Sequence, residues 1–580
     1  MELTNRQALK EFWTHAGPDR KTFYFCLVLM TVTLATEYAR PLIMKLALDH
    51  IEAGDVSALH GAALFFLVIA VTDYLSRSGF SYMMSMGVLR TINRVRYQLF
   101  RHVLRLKMAF FDRQPVGSLL TRTINDCEAL AETLRAGAAT IIVDVLSVFV
   151  VFAAMHQLDL ELSYIMMAMV PITWLVVRWC GKKLREKFME VRKALAASNG
   201  FMAEGIMGAS ILQLFRNQGR SIDAFKEHNK TYRYATVTSN IYDATLSALI
   251  DGVAAITTAA ILMVAFNVKF GIMEIGSLVV YMSLVERMFV PIRDFSSKFA
   301  IIQQALAAMQ RVFGLLKSGQ TIEHGDAKLN GDQLTLRFND VSFRYIQDGP
   351  NVLSNINFDV SPGQVIALVG QTGSGKSTIG RLLTRAYDGY EGDITVNGQE
   401  LRQLDVHSLR SNVAVVHQDI ELFPGTIRNN ITMFDDSITD EKIMWAIKLV
   451  KAEHMIESMA DGIDHKVQES GTNLSAGQMQ LIIFARALVH DAPIVLMDEA
   501  TASVDSVTEA WIQDAIQQIF KHKTVLIVAH RLSTIAAADK IIVLKDGQII
   551  EHGNHAELVQ IQDGYYAGLI EASKLQHSLV

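Results

Sequence analysis

Six long apolar segments in the first 315 residues constrain this chain more than any other feature. They cover residues 22–46, 59–83, 136–155, 162–179, 241–266 and 275–290. A helix needs about 20 predominantly apolar residues to cross a bilayer, and each segment is close to that length. Each is therefore read as a membrane-spanning helix. The last is the shortest and is expected to begin earlier or run on. Half of all residues are apolar and only 19% are charged. That excess sits before about residue 315; the remainder has the pattern of an ordinary soluble α/β domain.

The loops between the segments alternate in length, and their charges fix a sidedness. The short loops carry Asp49, Glu52 and Asp55, then Asp159 and Glu161, then Lys269 and Glu274. The long ones carry Arg94, Arg96, Arg101, Arg105 and Lys107, then Arg178, Lys182, Lys183, Arg185, Lys187, Arg192 and Lys193. Basic loops stay cytoplasmic, so both long loops and both termini are placed there, in a multi-pass protein of the cell (inner) membrane. Residues 1–21 are polar, and the first apolar run shows no convincing cleavage site, so it reads as an uncleaved anchor. The long loops have helical periodicity and read as helices continuing beyond the bilayer. Each breaks at its tip: Phe110-Phe111-Asp112-Arg113-Gln114-Pro115-Val116-Gly117 in the first, Glu204-Gly205-Ile206-Met207-Gly208 in the second. Docking on the cytosolic domain and plain hairpin turns are the two readings of these tips.

Two classes of partner chemistry are disfavoured. The net charge of −5 offers no basic field for nucleic acid. Cys26, Cys127 and Cys180 are too scattered for a metal or disulfide framework and read as small apolar fillers.

Chemistry concentrates in the second half. Residues 365–369 form an apolar strand pattern, followed at once by Gly370, Gln371, Thr372, Gly373, Ser374, Gly375, Lys376 and Ser377, then a helical run from Lys376 through Thr378 to Arg385. Strand, glycine-rich loop and helix in that order are what a phosphate-binding loop requires. The glycines let backbone N–H groups turn toward phosphates, and the helix start adds its positive dipole. Lys376 is expected to reach the outer phosphates of ATP, and Ser377 to ligate Mg²⁺. A second apolar strand at 494–497 ends in Asp498 and Glu499. Asp498 is placed to hold Mg²⁺ through water, and Glu499 to orient and deprotonate the attacking water. Leu474-Ser475-Ala476-Gly477-Gln478 opens another helix and forms an anion site some twenty residues before Asp498.

This ordered set resembles the ATP-binding cassette (ABC) exporters of the bacterial half-transporter type, in which six spans are fused to one cassette. The resemblance covers essentially the whole chain. In the membrane half it includes Phe110-Phe111-Asp112 and Gly117-Ser118-Leu119-Leu120-Thr121-Arg122, which look like the first coupling segment. The fold class it implies is an α-helical transmembrane domain, six spans with long cytoplasmic helical extensions, fused to an α/β P-loop nucleotide-binding domain. The expected boundaries are a transmembrane domain over 1–315, a linker over 316–333 and the nucleotide-binding domain over 334–580. The family pattern assigns Tyr345 to adenine stacking, which gives affinity with little base selectivity. It assigns Gln418 to joining Mg²⁺ and the attacking water to the membrane domain, and Asp505 to signalling across a cassette dimer. It assigns His530 to the γ-phosphate, and places Glu469 and Gly471 in a loop touching coupling helices. Ser475, Gly477 and Gln478 would contact ATP held by a partner cassette.

One cassette per chain then implies pairing with a second ABC half-transporter. Closure of two cassettes on ATP, and parting after hydrolysis, would drive alternating access. The family usually has Gly where Ala476 stands. Altered signatures are familiar in mixed pairs, so a heterodimer is favoured and a homodimer is the alternative.

Ionisable residues lie in or near the spans: Glu37, Arg40, Asp73, Arg77, Asp144, Asp251, Glu286 and Arg287. Glu37/Arg40 and Asp73/Arg77 have helical spacing and can neutralise each other. Asp144 and Asp251 have no partner nearby in sequence and are the better cavity candidates, which would favour amphipathic cations. Pro291 is a candidate kink. The expected activity is ATP-driven export of hydrophobic or amphipathic molecules, drugs or lipids, in contact with membrane lipids. A dedicated lipid-linked or peptide exporter, and an ATP-gated channel or regulatory sensor, are the alternatives. An intact Glu499 argues for hydrolysis rather than sensing.

Overall fold

The computed structural model describes residues 3–135, 139–268, 275–318, 321–322, 325–329, 331, 333–418, 420–498, 506–529 and 531–578. Ala136, Lys269, Glu274, Glu499, Asp505 and His530, all singled out above, lie outside the described residues. The chain divides into two units: Met1–Leu104 with Val116–Gly319, and Arg105–Pro115 with Gln320–Val580.

The first unit is helical. Residues earlier noted only as polar form α1 (Asn5–His15), opened by a reciprocal Thr4–Gln7 capping box and burying Ala8 and Phe12. Then come α2 (Arg20–Glu52) and α3 (Val56–Val103), which pack along each other. Asp55 caps α3 by accepting from Ser57 N and Ala58 N, both at 3.1 Å. After α4 (Met108–Arg113), which belongs to the second unit, follow α5 (Val116–Leu120), a π-helical turn at Thr121–Asn125, α6 (Asp126–Thr133) and α7 (Ala139–Leu158). The unit ends with α8 (Leu160–Met207), α9 (Ala209–Leu214), α10 (Gln218–Val268) and α11 (Ile275–Leu316), with α8 packed along α10.

The six apolar segments coincide with α2, α3, α7, α8, α10 and α11. Among the described residues, the helices of α2, α3, α8 and α10 are long and apolar enough to cross a membrane. At 48 residues, α3 and α8 each reach about 70 Å, more than twice the ~30 Å hydrocarbon thickness. The sixth segment runs on to Leu316, and α11 continues through Pro291. α1 is fastened to α11: the Gln310 amide donates to Leu3 O at 2.8 Å and Asn5 Oδ1 at 2.9 Å, and Lys317 meets Glu11 at 2.5 Å.

Asp73 pairs with Arg77 on its own helix, as the spacing anticipated, whereas Asp144 and Asp251, which have no partner nearby in sequence, find one on another helix. Asp144 pairs with Lys298, and Asp251 with Arg293 at 3.3 Å. Asp73 takes both Arg40 at 2.8 Å and Arg77 at 3.0 Å, with Thr36 donating at 2.9 Å. Glu37 lies 3.6 Å from Arg77 and 3.7 Å from Arg287. An unpaired charge in lipid is costly, and these contacts remove that cost from both former cavity candidates.

The second unit is α/β. Strands β1 (Leu336–Phe343), β2 (Leu353–Val360), β3 (Val365–Val369), β4 (Glu391–Val396), β5 (Gln399–Glu400), β6 (Val413–Val416), β7 (Gly425–Thr426), β8 (Lys466–Val467), β9 (Ile494–Asp498), β10 (Thr524–Val528), β11 (Lys540–Lys545) and β12 (Gln548–Gly553) form three sheets. The central sheet has order β12-β11-β3-β10-β9-β6, parallel except for its edge strand β12. A four-stranded antiparallel sheet has order β2-β1-β4-β5, and β7 pairs with β8. The helices are α12 (Lys376–Leu383), α13 (Val406–Ser411), α14 (Ile427–Thr432), α15 (Asp440–Leu449), α16 (Glu453–Glu457), α17 (Ala476–Val489), α18 (Ser506–His522), α19 (Leu532–Ala536), α20 (His555–Val559) and α21 (Tyr565–Ser578).

The continuous apolar runs of the central strands follow from burial on both faces. Val365, Ala367 and Val369 join one core with residues of α15, α17 and α18, while Ile366 and Leu368 join a second with β1, β2 and α12. β9 and β10 alternate the same way: Val495, Met497, Val525 and Ile527 on one side, Ile494, Leu496, Leu526 and Val528 on the other. Strands so fixed deliver their C-terminal ends to one edge, where open parallel sheets place ligands.

Candidate nucleotide site

The phosphate loop leaves the end of β3 and turns into α12. Gly375 opens the helix at φ +99°, and a Cβ there would lie 2.5 Å from Leu353 Cδ2 and 3.0 Å from Val352 O. Only glycine combines that backbone with so close an approach. Gly373, at φ +87°, faces open space instead. The Lys376 side chain is 6% exposed and arches over the loop, donating to Gly370 O at 2.8 Å and Gln371 O at 2.9 Å. Two carbonyls leave one ammonium donor for a further acceptor. Burial pushes the Lys376 ammonium below its ordinary value, partly countered by Asp498. The Ser374 hydroxyl is buried without a hydrogen-bond partner among the described residues, an orphan an entering phosphate oxygen would satisfy.

Ser377 and Asp498 arrive from different elements, the first turn of α12 and the end of β9, and meet with Oγ donating to Oδ2 at 3.0 Å. A hydroxyl and a carboxylate are hard oxygen donors of the kind Mg²⁺ takes beside substrate phosphates. Gln418 is exposed past the end of β6 and lines a small cavity with Val416, His417, Gln480, Phe484 and Asp498. Gln418 and Asp498 thus line one cavity.

Tyr345 follows β1. Its hydroxyl lies 3.0 Å from Thr378 Oγ1 and accepts from Arg381 Nη1 at 3.2 Å. The ring meets Phe343 and Tyr387 edge-on, at 4.9 Å and 5.0 Å between centroids. Gln371 and Thr372 are exposed within the loop.

The string around Ser475 is a capped helix start. Ser475 Oγ accepts from Gln478 N at 3.2 Å, and Gln478 Oε1 accepts from Ser475 N at 2.9 Å. Ala476 is the first helical residue, and Gly477 is buried in the same turn. No hydrogen bond or ion pair among the described residues joins Ser475, Gly477 or Gln478 to the phosphate loop. Glu469 is exposed and Gly471 buried in a short helical turn two residues upstream of Asn473.

Sequence reading missed two ties. Arg486 of α17 donates to Asn430 O at 2.7 Å and reaches Glu421 O and Asn430 Oδ1 at 3.4 Å. Asn430 in turn holds Phe423 N, Phe423 O and Thr426 O, so the loop after Gln418 is fastened to α17. The second tie holds the broken tip of the first long loop. α4 sits in the nucleotide unit, where Tyr387 donates to Asp112 and Lys107 lies 3.3 Å from Asp388. Docking, rather than a plain turn, is thus the outcome for that tip.

A helical unit with membrane-length helices and an α/β unit with a phosphate loop, in one chain, define an ATP-coupled membrane protein. Residues 23–292 match the ABC transporter transmembrane region, and residues 353–502 match the ABC transporter family. The chain is 34% identical over 516 residues to a probable multidrug resistance ABC transporter ATP-binding/permease protein of Bacillus subtilis, covering 88% of this chain and 75% of the other. It is 30% identical to the ATP-dependent lipid A-core flippase of Desulfotalea psychrophila, covering 97% and 99%. Its fold is shared with a bacterial Atm1-family ABC exporter with ATP bound, at a TM-score of 0.78 and 24% identity, covering 96% and 99%. The chain belongs to the ABC transporters. It is a multi-pass membrane half-transporter of the exporter type that works as a dimer and couples ATP hydrolysis to export.

Proposed function

We propose that this chain moves hydrophobic or amphipathic molecules, drugs or lipids, by alternating access, as half of an exporter in the inner membrane with both termini and the nucleotide unit cytoplasmic. The observation that carries this reading is the meeting of Ser377 and Asp498 beside the buried Lys376 ammonium. Gly370, Gln371, Thr372, Gly373, Ser374, Gly375 and Thr378 shape the cradle, and Lys376 neutralises the outer phosphates. Ser377, Asp498 and Gln418 would hold Mg²⁺, which would supply charge neutralisation to the phosphates. Glu499 follows Asp498 directly in sequence and is assigned the attacking water. His530 is assigned the γ-phosphate, Asp505 signalling between cassettes, and Tyr345 the base. Ser475, Gly477 and Gln478 present the start of α17 to the nucleotide held by the partner.

The partner is a second half-transporter chain. Ala476 was the motive for a mixed pair, yet the capping box around it is intact, so the helix start does not call for glycine. The paired Asp144 and Asp251 also withdraw the acidic-cavity argument for cationic cargo. The cargo class rests on relatives named for multidrug resistance and for lipid A-core flipping.

In proteoliposomes, Glu499→Gln should abolish steady-state hydrolysis at its own site while ATP still binds. Lys376→Ala should stop movement of both a cationic dye and a fluorescent lipid. Turnover at the Glu499→Gln site, or undiminished transport by Lys376→Ala, overturns the assignment.

A further inference from the structure

Gln480 is out of place in α17. It lies one turn past the capped start and is 8% exposed, and the residues that follow it, Leu481, Ile482, Ile483 and Phe484, are buried and apolar. Its side-chain amide makes no hydrogen bond with any described residue. A buried amide left unpaired is costly, and a methionine would fill the same volume without that cost. Gln480, with Ile483 and Phe484 three and four positions on along the same helix face, borders the cavity that also reaches Asp498. That cavity offers about 10 Å³ to water centres, the space of a single molecule, and a water there needs polar neighbours. Asp498 supplies a second one. Its Oδ2 accepts from Ser377 Oγ at 3.0 Å, while Oδ1 has no hydrogen bond among the described residues. An unpaired amide and an unpaired carboxylate oxygen thus border one water-sized space.

We infer that this cavity holds one ordered water, accepting from the Gln480 amide and donating to Asp498 Oδ1, and that Gln480 is thereby a positioning residue for Asp498. Two hydrogen bonds, from Ser377 to one oxygen and from the water to the other, fix the plane of the carboxylate. Groups that orient a metal-ligating carboxylate raise its hold on the metal. Gln480 has no hydrogen bond to the phosphate loop, so its amide matters to Mg²⁺ and not to the phosphates. The inference rests on Asp498 being a Mg²⁺ ligand.

The test is ATP binding to the full-length paired protein carrying Glu499→Gln, titrated with Mg²⁺ and repeated in EDTA. In Gln480→Met, which keeps the volume and removes the amide, the Mg²⁺ concentration for half-maximal ATP binding should rise about tenfold, the scale of losing a group that orients a metal ligand. ATP affinity in EDTA should stay within about twofold. An unchanged Mg²⁺ requirement overturns the bridge. So does an equal loss of affinity in EDTA and in Mg²⁺, since the side chain would then serve only the packing of α17. The parent protein gives a second reading that needs no variant. A map of its Mg-ATP complex at a resolution that shows waters should place one within hydrogen-bond reach of both Gln480 and Asp498. A dry cavity, or a Gln480 amide bonded directly to another side chain, overturns the inference. Asp498→Asn separately tests the ligand assignment: an unchanged Mg²⁺ requirement there defeats that reading, whatever Gln480→Met shows.

Discussion

Lys376 illustrates how a single side chain carries an opposed pair of demands. Burial disfavours its charged form, so its folded value lies below the ordinary 10.5. The unfolded chain then binds more protons in the window between the two values, and the burden on stability is full below that window and fades as pH rises through it. Phosphate reverses the sign by favouring the ammonium. ATP binding to Glu499→Gln protein should therefore take up protons at alkaline pH and not near pH 7. Calorimetry in buffers of different ionisation enthalpy reads this uptake, and it should vanish in Lys376→Met; uptake that survives the substitution assigns it elsewhere. The phosphate-loop residues were legible because the chemistry needs them contiguous, behind one strand and before one helix. Arg486 and Tyr387 were not, since their acceptors lie 56 and 275 positions away and nothing local marks either.

At the scale of elements, α17 does more than present its first turn. Its half-buried Arg486 grips the carbonyl of Asn430 and ties the helix to the loop that follows Gln418. Burial holds the Arg486 guanidinium below its ordinary value, a cost its three acceptors offset. Arg486→Met should free residues 421–434, raising amide exchange there by roughly tenfold or more, the equivalent of ~1.5–3 kcal/mol for a bond to a charged group. Unchanged exchange would show that Asn430 holds the loop by itself. α2, α3, α8 and α10 were legible from length and hydropathy alone, because lipid sets both. The ion pairs among them were not: Asp144 finds Lys298 at a separation of 154 positions, which only the packing of α7 against α11 supplies. α1 was missed for the opposite reason. Two buried residues, Ala8 and Phe12, leave too faint a stripe to rise above a polar composition.

For the whole molecule, the open matter of partner identity has a direct measurement. The capped start of α17 accommodates Ala476, so tagged chain expressed beside an untagged copy should capture that copy on purification from its membrane. Recovery of a different cassette chain in its place would restore the mixed pair. The division of the chain into a helical and an α/β unit was readable from the drop in hydropathy near residue 315. The return of residues 105–115 to the second unit was only hinted at by the broken tip. That return has a mechanical consequence. The polypeptide passes between the units three times, after Leu104, after Pro115 and after Gly319. The first and last passages are stitched together by Leu106 bridging Thr321 and by Ile322 N donating to Arg105 O at 3.3 Å. Residues 105–106 and 321–322, far apart along the chain, are thereby sewn side by side inside the α/β unit, so a cut in the polypeptide between them would leave that seam holding both ends.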